Sequence, residues 1–162
     1  MYRSFVLATA LTSCCTAAAP PLALAQVDPA AVARRYVDTF NRGDVTGVVA
    51  LFTDDATVAH GRICTPACVA DPAAVRRQDE SDIANSVQLT IVDSHVSGNT
   101  VAIRIELRGN PARAAGVERI VGTDTIEVRS DKITSLRFAA DLSDPQTVRF
   151  RDWARAQGRP PR

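Results

Sequence analysis

The chain of 162 residues has almost no excess of charge, with 19 Lys and Arg against 18 Asp and Glu. Proteins that hold phosphate backbones need clustered, surplus Lys and Arg, so this balance argues against a nucleic-acid partner. Histidine and cysteine are scarce, at two and four copies. Cys14 and Cys15 fall in an N-terminal apolar segment, which leaves Cys64 and Cys68 with only His60 near them. A zinc site would need two more ligands close by. In an exported chain, the loop Cys64-Thr65-Pro66-Ala67-Cys68 reads instead as closed by a disulfide, and no metal or other cofactor is expected. Long apolar runs are also missing. The stretch from Phe5 to Ala19 is too short to span a bilayer as a stable anchor.

That stretch has a different logic. Arg3 gives it a positive start, and Ala23-Leu24-Ala25 is a small-x-small cleavage signal before Gln26. Residues 1–25 therefore read as a secretory signal peptide, and the protein is expected to be secreted or periplasmic. Leu11-Thr12-Ser13-Cys14 also resembles a bacterial lipoprotein processing box, which would make Cys14 a lipidated first residue. Residues 26–157 read as one domain and residues 158–162 as a frayed tail.

Two periodicities divide the domain. Asp28-Pro29 opens a helix as N-cap and first helical residue, and Val32, Tyr36 and Phe40 recur on one face until Asn41-Arg42-Gly43. Asp44 caps a shorter helix with Val48, Leu51 and Phe52 inward, and a strand is expected from Ala56 to His60. Asp71-Pro72-Ala73-Ala74-Val75 repeats the opening of the first helix. From Ser86 the period becomes two: Val87, Leu89 and Ile91 alternate with polar residues, and Val101, Ile103, Ile105 and Leu107 do the same after a turn at Ser97-Gly98-Asn99. Gly109 to Gly116 reads as a loop. Two more strands follow, joined at Ser130-Asp131, and Asp144-Pro145 caps a last helix carrying Val148 and Trp153. Helices first and antiparallel strands after them make an α+β fold.

One residue breaks the pattern. In Ile120 to Val128 one face reads Ile120, Gly122, Asp124, Ile126 and Val128, so Asp124 stands in an apolar row. Three structural readings are open: a register shift, a bulge, or pairing with an arginine such as Arg104. The functional reading is a carboxyl that escapes the cost of burial by keeping its proton, and so donates a hydrogen bond into a cavity.

Tyr36-Val37-Asp38-Thr39-Phe40-Asn41-Arg42-Gly43-Asp44, followed by Val48-Val49-Ala50-Leu51-Phe52-Thr53-Asp54-Asp55-Ala56-Thr57-Val58, resembles the opening of the nuclear-transport-factor-2-like superfamily. Within it the closest resemblance is to ketosteroid isomerases and SnoaL-like polyketide cyclases, from about Ala31 to Ala140. The resemblance implies a cone: three helices on a curved antiparallel sheet of four to six strands, enclosing a pocket. It also implies three site residues. Tyr36 stands where a helix tyrosine donates to a substrate carbonyl, and Asp124 stands where a protonated aspartate donates beside it. His60 stands at the strand end, where the family has a carboxylate base.

Moving a double bond into conjugation with a ketone needs a base for the carbon-bound proton and donors for the dienolate oxygen. Tyr36 and Asp124 fit the donors. His60, with an unperturbed pKa of about 6.5, fits the base. The expected activity is enolisation or isomerisation of a small hydrophobic, steroid- or polyketide-like ketone. Two other readings stay open: a pocket that binds a hydrophobic ligand or partner protein without chemistry, and a SnoaL-like cyclisation, dehydration or epoxide hydrolysis. The last needs a second acid–base residue, for which the sequence offers Asp141. His95 reads as solvent-facing, and Trp153 as a pocket cover or dimer contact. The resemblance implies a homodimer.

Overall fold

The computed structural model describes residues 28–59, 68–69 and 72–158. His60, Cys64, the leader at 1–25 and residues 159–162 of the tail lie outside the described residues. The order of elements is α1 (Pro29–Asn41), α2 (Val45–Ala50), β1 (Phe52–Ala59), β2 (Cys68–Val69), α3 (Pro72–Ala84), β3 (Gln88–Ser97), β4 (Thr100–Arg108), α4 (Asn110–Ala114), β5 (Ile120–Arg129), β6 (Lys132–Ala140) and α5 (Pro145–Ala156). The strands form one curved sheet in the order β2-β1-β6-β5-β4-β3. The expected α+β architecture, with helices on a mainly antiparallel sheet, is what the chain adopts. One pair departs from it: β1 runs parallel to β6.

Local chemistry accounts for the frame. Asp28 accepts a hydrogen bond from the Ala30 N–H at 2.9 Å, and Pro29 follows it, so α1 starts where expected. Its stripe of Val32, Ala33, Tyr36, Val37 and Phe40 is buried and joins the core formed by Leu89, Val101, Ile103, Ile105 and Ile126. Gly43, at φ +75°, lets the chain leave the helix. Asn41 then grips the backbone of β3. Its amide donates to Leu89 O at 2.8 Å, and its carbonyl oxygen accepts from Leu89 N at 2.9 Å. Those two bonds satisfy an edge strand's free backbone groups and lay α1 across the sheet.

The hairpin turns are where they are expected. Ser130 and Asp131 both have positive φ, 50° and 65°, as a two-residue turn matched to strand twist requires. Arg35 of α1 holds Asp131 at 2.8 Å. Other boundaries differ. Leu51 and Phe52 fall outside α2, whose last helical residue is Ala50, and β1 begins at Phe52 rather than Ala56. Pairing of Phe52 with Ile133 draws this segment into the sheet. The expected loop after Gly109 contains the short helix α4, with Pro111 in its first turn, where a missing N–H costs nothing.

Helix α5 is fixed to the start of β5 by a buried hydroxyl. Thr147 Oγ1 accepts from Val121 N at 2.8 Å and donates to Asp144 Oδ2 at 2.9 Å. Trp153 packs its ring on Phe150 with centroids 5.8 Å apart. Thr147→Val keeps the shape but strands the Val121 N–H, so urea unfolding should show a loss of about 1–3 kcal/mol. An unchanged midpoint would mean that this bond does not anchor the helix.

Candidate functional site

Asp124 lies in the middle of β5, opposite Ile103 of β4 and Phe138 of β6. It is 0 % exposed. The register is regular on both sides of it, which rules out the slip and the bulge at this position. The arginine reading also fails, because Arg104 points its guanidinium to Asp141 at 2.7 Å. Neither carboxyl oxygen of Asp124 has a hydrogen-bond partner among the described residues. Burial pushes its pKa up to about 7. Phe138, its cross-strand neighbour, reaches diagonally toward Gly122. A Cβ on that glycine would sit 2.3 Å from the Phe138 ring. Gly122 is therefore the gap that receives the tip of the ring.

Tyr36 enters from α1 and is 4 % exposed. The Phe52 ring meets it edge to face, with centroids 6.2 Å apart and planes at 86°. Burial first, and then the charges of Asp124, Asp79 and Asp82, raise the phenol pKa well above 10. The hydroxyl is therefore a proton donor throughout the working pH range, and it stands within electrostatic reach of three carboxyl groups from two elements. Phe52 also lines a cavity of about 240 Å³ between α2, β1 and the start of α3, with Val49, Val75 and Lys132 as further walls.

Asp79 and Asp82 are the residues that sequence reasoning missed. They lie on α3 with Gln78, and all three side chains are buried. The spacings of three and four residues bring them to one helix face. Gln78 Nε2 donates to Asp82 Oδ2 at 2.8 Å. Asp79 Oδ2 has no partner among the described residues. Burial, and then the neighbouring Asp82, raise the Asp79 pKa to about 7. A signal was present. Val75 and Ile83 of α3 reach the core, and the stretch between them, Arg76-Arg77-Gln78-Asp79-Glu80-Ser81-Asp82, holds no apolar residue, so the part of the inward face between them has to be polar.

Of the three residues singled out in the sequence, Tyr36 and Asp124 are both buried, and His60 is outside the described residues. Asp141 is elsewhere. Hydrogen bonds from Ser143 and Arg104 hold its pKa down to about 2, so it is a fixed carboxylate rather than an acid. His95 is exposed on β3, as expected. Among the described residues, no group of three His, Cys, Asp or Glu side chains could hold a metal ion. Tyr36 and Asp124 are each buried, and each can donate a hydrogen bond while it holds its proton.

The SnoaL-like domain family matches residues 33–136, more than half of the chain. No significant match occurs among curated proteins. Among solved structures, the chain is similar to a cystatin-fold protein from Novosphingobium aromaticivorans, with 21% identity and a TM-score of 0.58 over 70% of this chain and 98% of that one. It is similar also to an epoxide hydrolase/cyclase-like enzyme of pyran ring formation in the polyether salinomycin, with 21% identity and a TM-score of 0.59 over 72% and 92%. A protein with a ketosteroid isomerase-like fold from Catenulispora acidiphila, solved in complex with trimethylamine, shares 16% identity at a TM-score of 0.56 over 69% and 86%. At these identities the likeness shows the fold alone.

The carboxyl of Asp124 ties stability to pH. Its unfolded pKa is about 3.9, and its folded value is about 7. Between these values the native state keeps a proton that the unfolded chain has released, so this group lowers stability as pH rises through the window, and its full cost is reached above pH 7. Asp124→Asn removes that dependence and leaves Asp79 in place. The stability difference between variant and wild type should move in favour of the variant by about 3 kcal/mol between pH 5 and pH 8 in denaturant titrations. Parallel pH profiles would show that Asp124 is ionised in the native protein.

Proposed function

We propose, from the premise that the chain belongs to the SnoaL-like family, that it binds a small hydrophobic ketone and stabilises the enolate formed from it. The observation that carries this reading is the buried, unpartnered Asp124 carboxyl with the Tyr36 hydroxyl in its field. With its pKa pushed up to about 7, Asp124 keeps its proton below neutrality and is then a donor, and a phenol pushed above its ordinary pKa is another. As a proton leaves the α-carbon, negative charge grows on the ketone oxygen, and two fixed donors in a dry site stabilise that charge without reorganising. The proton acceptor has to reach the α-carbon from beside the ring or chain. For that part the sequence resemblance offers His60.

Steroid-type isomerisation is the specific reaction proposed, since the shift of a double bond into conjugation is completed by returning the same proton. A small-molecule ligand is consistent with the trimethylamine held by the Catenulispora acidiphila protein. Cyclisation or epoxide opening is the second reading, favoured by the salinomycin enzyme among the structural relatives and by the extra carboxyl groups on α3. Export through residues 1–25, a Cys64–Cys68 disulfide and a homodimer through the open sheet face are carried with this proposal on sequence grounds.

A Δ5-3-ketosteroid, followed through the ultraviolet absorbance of its conjugated product, tests the reading. Tyr36→Phe should lower the rate by about 10²–10³-fold. Asp124→Ala should lower it further than Asp124→Asn, because the amide still donates. A wild-type rate equal to background would refute the isomerase, and an indifferent Tyr36→Phe would refute the donor role.

A further inference from the structure

We propose that the cavity between α2, β1 and the start of α3 is a binding site for a free apolar α-amino acid of about leucine's size, held as its zwitterion by Lys132 and Asp54. Both charged residues line the cavity together with the apolar side chains of Val49, Phe52 and Val75. Neither Tyr36 nor Asp124 is among its walls, although Phe52 packs its ring on Tyr36. The site is therefore separate from the one proposed for the ketone and does not rest on that reading. Lys132 opens β6, and its ammonium donates to Ala50 O at the end of α2. That bond uses one of its three N–H donors. No carboxylate among the described residues pairs with it, because Asp131, next to it in the chain, holds Arg35 at 2.8 Å. Asp54 is in the mirror situation. Its neighbour Asp55 faces Arg129 at 3.4 Å, while Asp54 has no ion pair and no hydrogen bond among the described residues. Lys132 and Asp54 do not pair with each other either. One cavity thus presents a cation and an anion, each without a counter-ion among the described residues. Both are exposed, so a ligand reaches them without opening the core.

The backbone is shaped to put Asp54 there. Between its pairings with β6 at Phe52 and Thr57, β1 advances five residues, while β6 advances two, from Ile133 to Ser135. The surplus is a bulge that carries Thr53 and Asp54 off the regular ladder. Bulges re-aim side chains and gather beside functional sites. Size narrows the ligand. At ~30 Å³ for each water, a volume of about 240 Å³ holds about eight waters, below the ~300 Å³ at which pockets for drug-sized ligands begin. The ligand's apolar side chain meets Val49, Phe52 and Val75, its carboxylate meets the Lys132 ammonium, and its own ammonium meets Asp54. A simple carboxylic acid would satisfy Lys132 and bring a like charge to Asp54, and a simple amine would do the reverse. A small molecule that carries both charges answers both residues.

L-Leucine, N-acetyl-L-leucine and L-leucinamide are titrated into the nitrogen-15-labelled full chain. Leucine should give saturable shifts at the amides of Phe52, Val75 and Lys132. N-acetyl-leucine lacks the ammonium and leucinamide lacks the carboxylate, so each should bind about tenfold more weakly. Asp54→Asn should weaken leucine by a similar factor without weakening N-acetyl-leucine, and Lys132→Met should weaken leucine without weakening leucinamide. Ala50→Phe, which fills the cavity from an exposed position, should abolish the shifts. Absence of saturable shifts with leucine overturns the proposal. So does a capped ligand that binds as well as leucine, a comparison that needs no variant to fold. Leucine binding that survives Ala50→Phe unchanged overturns the cavity as its place. All of these outcomes read binding, so none of them bears on turnover of the ketone.

Discussion

The cost of holding an unpartnered carboxyl inside the sheet is the constraint around which this molecule is arranged. Asp124 has Ile103 on one side and Phe138 on the other, with no exposed surface and no hydrogen-bond partner among the described residues. Water would satisfy both oxygens, so burial has to be offset by the rest of the fold, and the proton that the carboxyl keeps lowers the cost. Each neighbour contributes to that state. Gly122 makes room for the Phe138 ring, α1 brings Tyr36, and among the described residues no cation pulls the carboxyl pKa back down.

Elsewhere, groups with the same chemistry are treated in the opposite way. Asp141 receives Arg104 and Ser143, Asp144 receives the Thr147 N–H and hydroxyl, and Arg119 bridges Glu106 and Asp144 at 3.1 and 3.2 Å. Asn41 and Thr147 each complete backbone groups that would otherwise be bare. Partners were therefore available in this sequence and were used at the helix ends and sheet rims. Among the described residues, the buried carboxyl oxygens left open are those of Asp79 and Asp124. Buried polar groups left open in a chain that pairs them elsewhere call for an explanation, and a bound ligand is the one proposed here.

The frame was legible because it is written in local signals. Asp28-Pro29, Gly43, Gly98 and Ser130-Asp131 mark ends and turns by their backbone preferences, and the alternation of Val101, Ile103, Ile105 and Leu107 is seen as buried residues on one face of β4. Asp124 was legible for the same reason, as an exception to a period of two. The parallel pairing of β1 with β6 and the early start of β1 were not, because they depend on contacts some eighty residues apart, such as Phe52 with Ile133. Asp79 and Asp82 were hidden by a different effect. Charged runs usually face solvent, and only the packing of α3 against the rest of the chain reveals which of its polar faces is turned inward.

A neutral Asp124 can be observed directly. In protein labelled with carbon-13 at the aspartate carboxyl, the Asp124 signal is assigned by its disappearance in Asp124→Asn. It should hold the shift of a protonated acid at pH 5 and titrate near pH 7, where burial places it. A signal already at the carboxylate position at pH 5 would mean that Asp124 is charged in the native state and cannot act as the donor proposed for it.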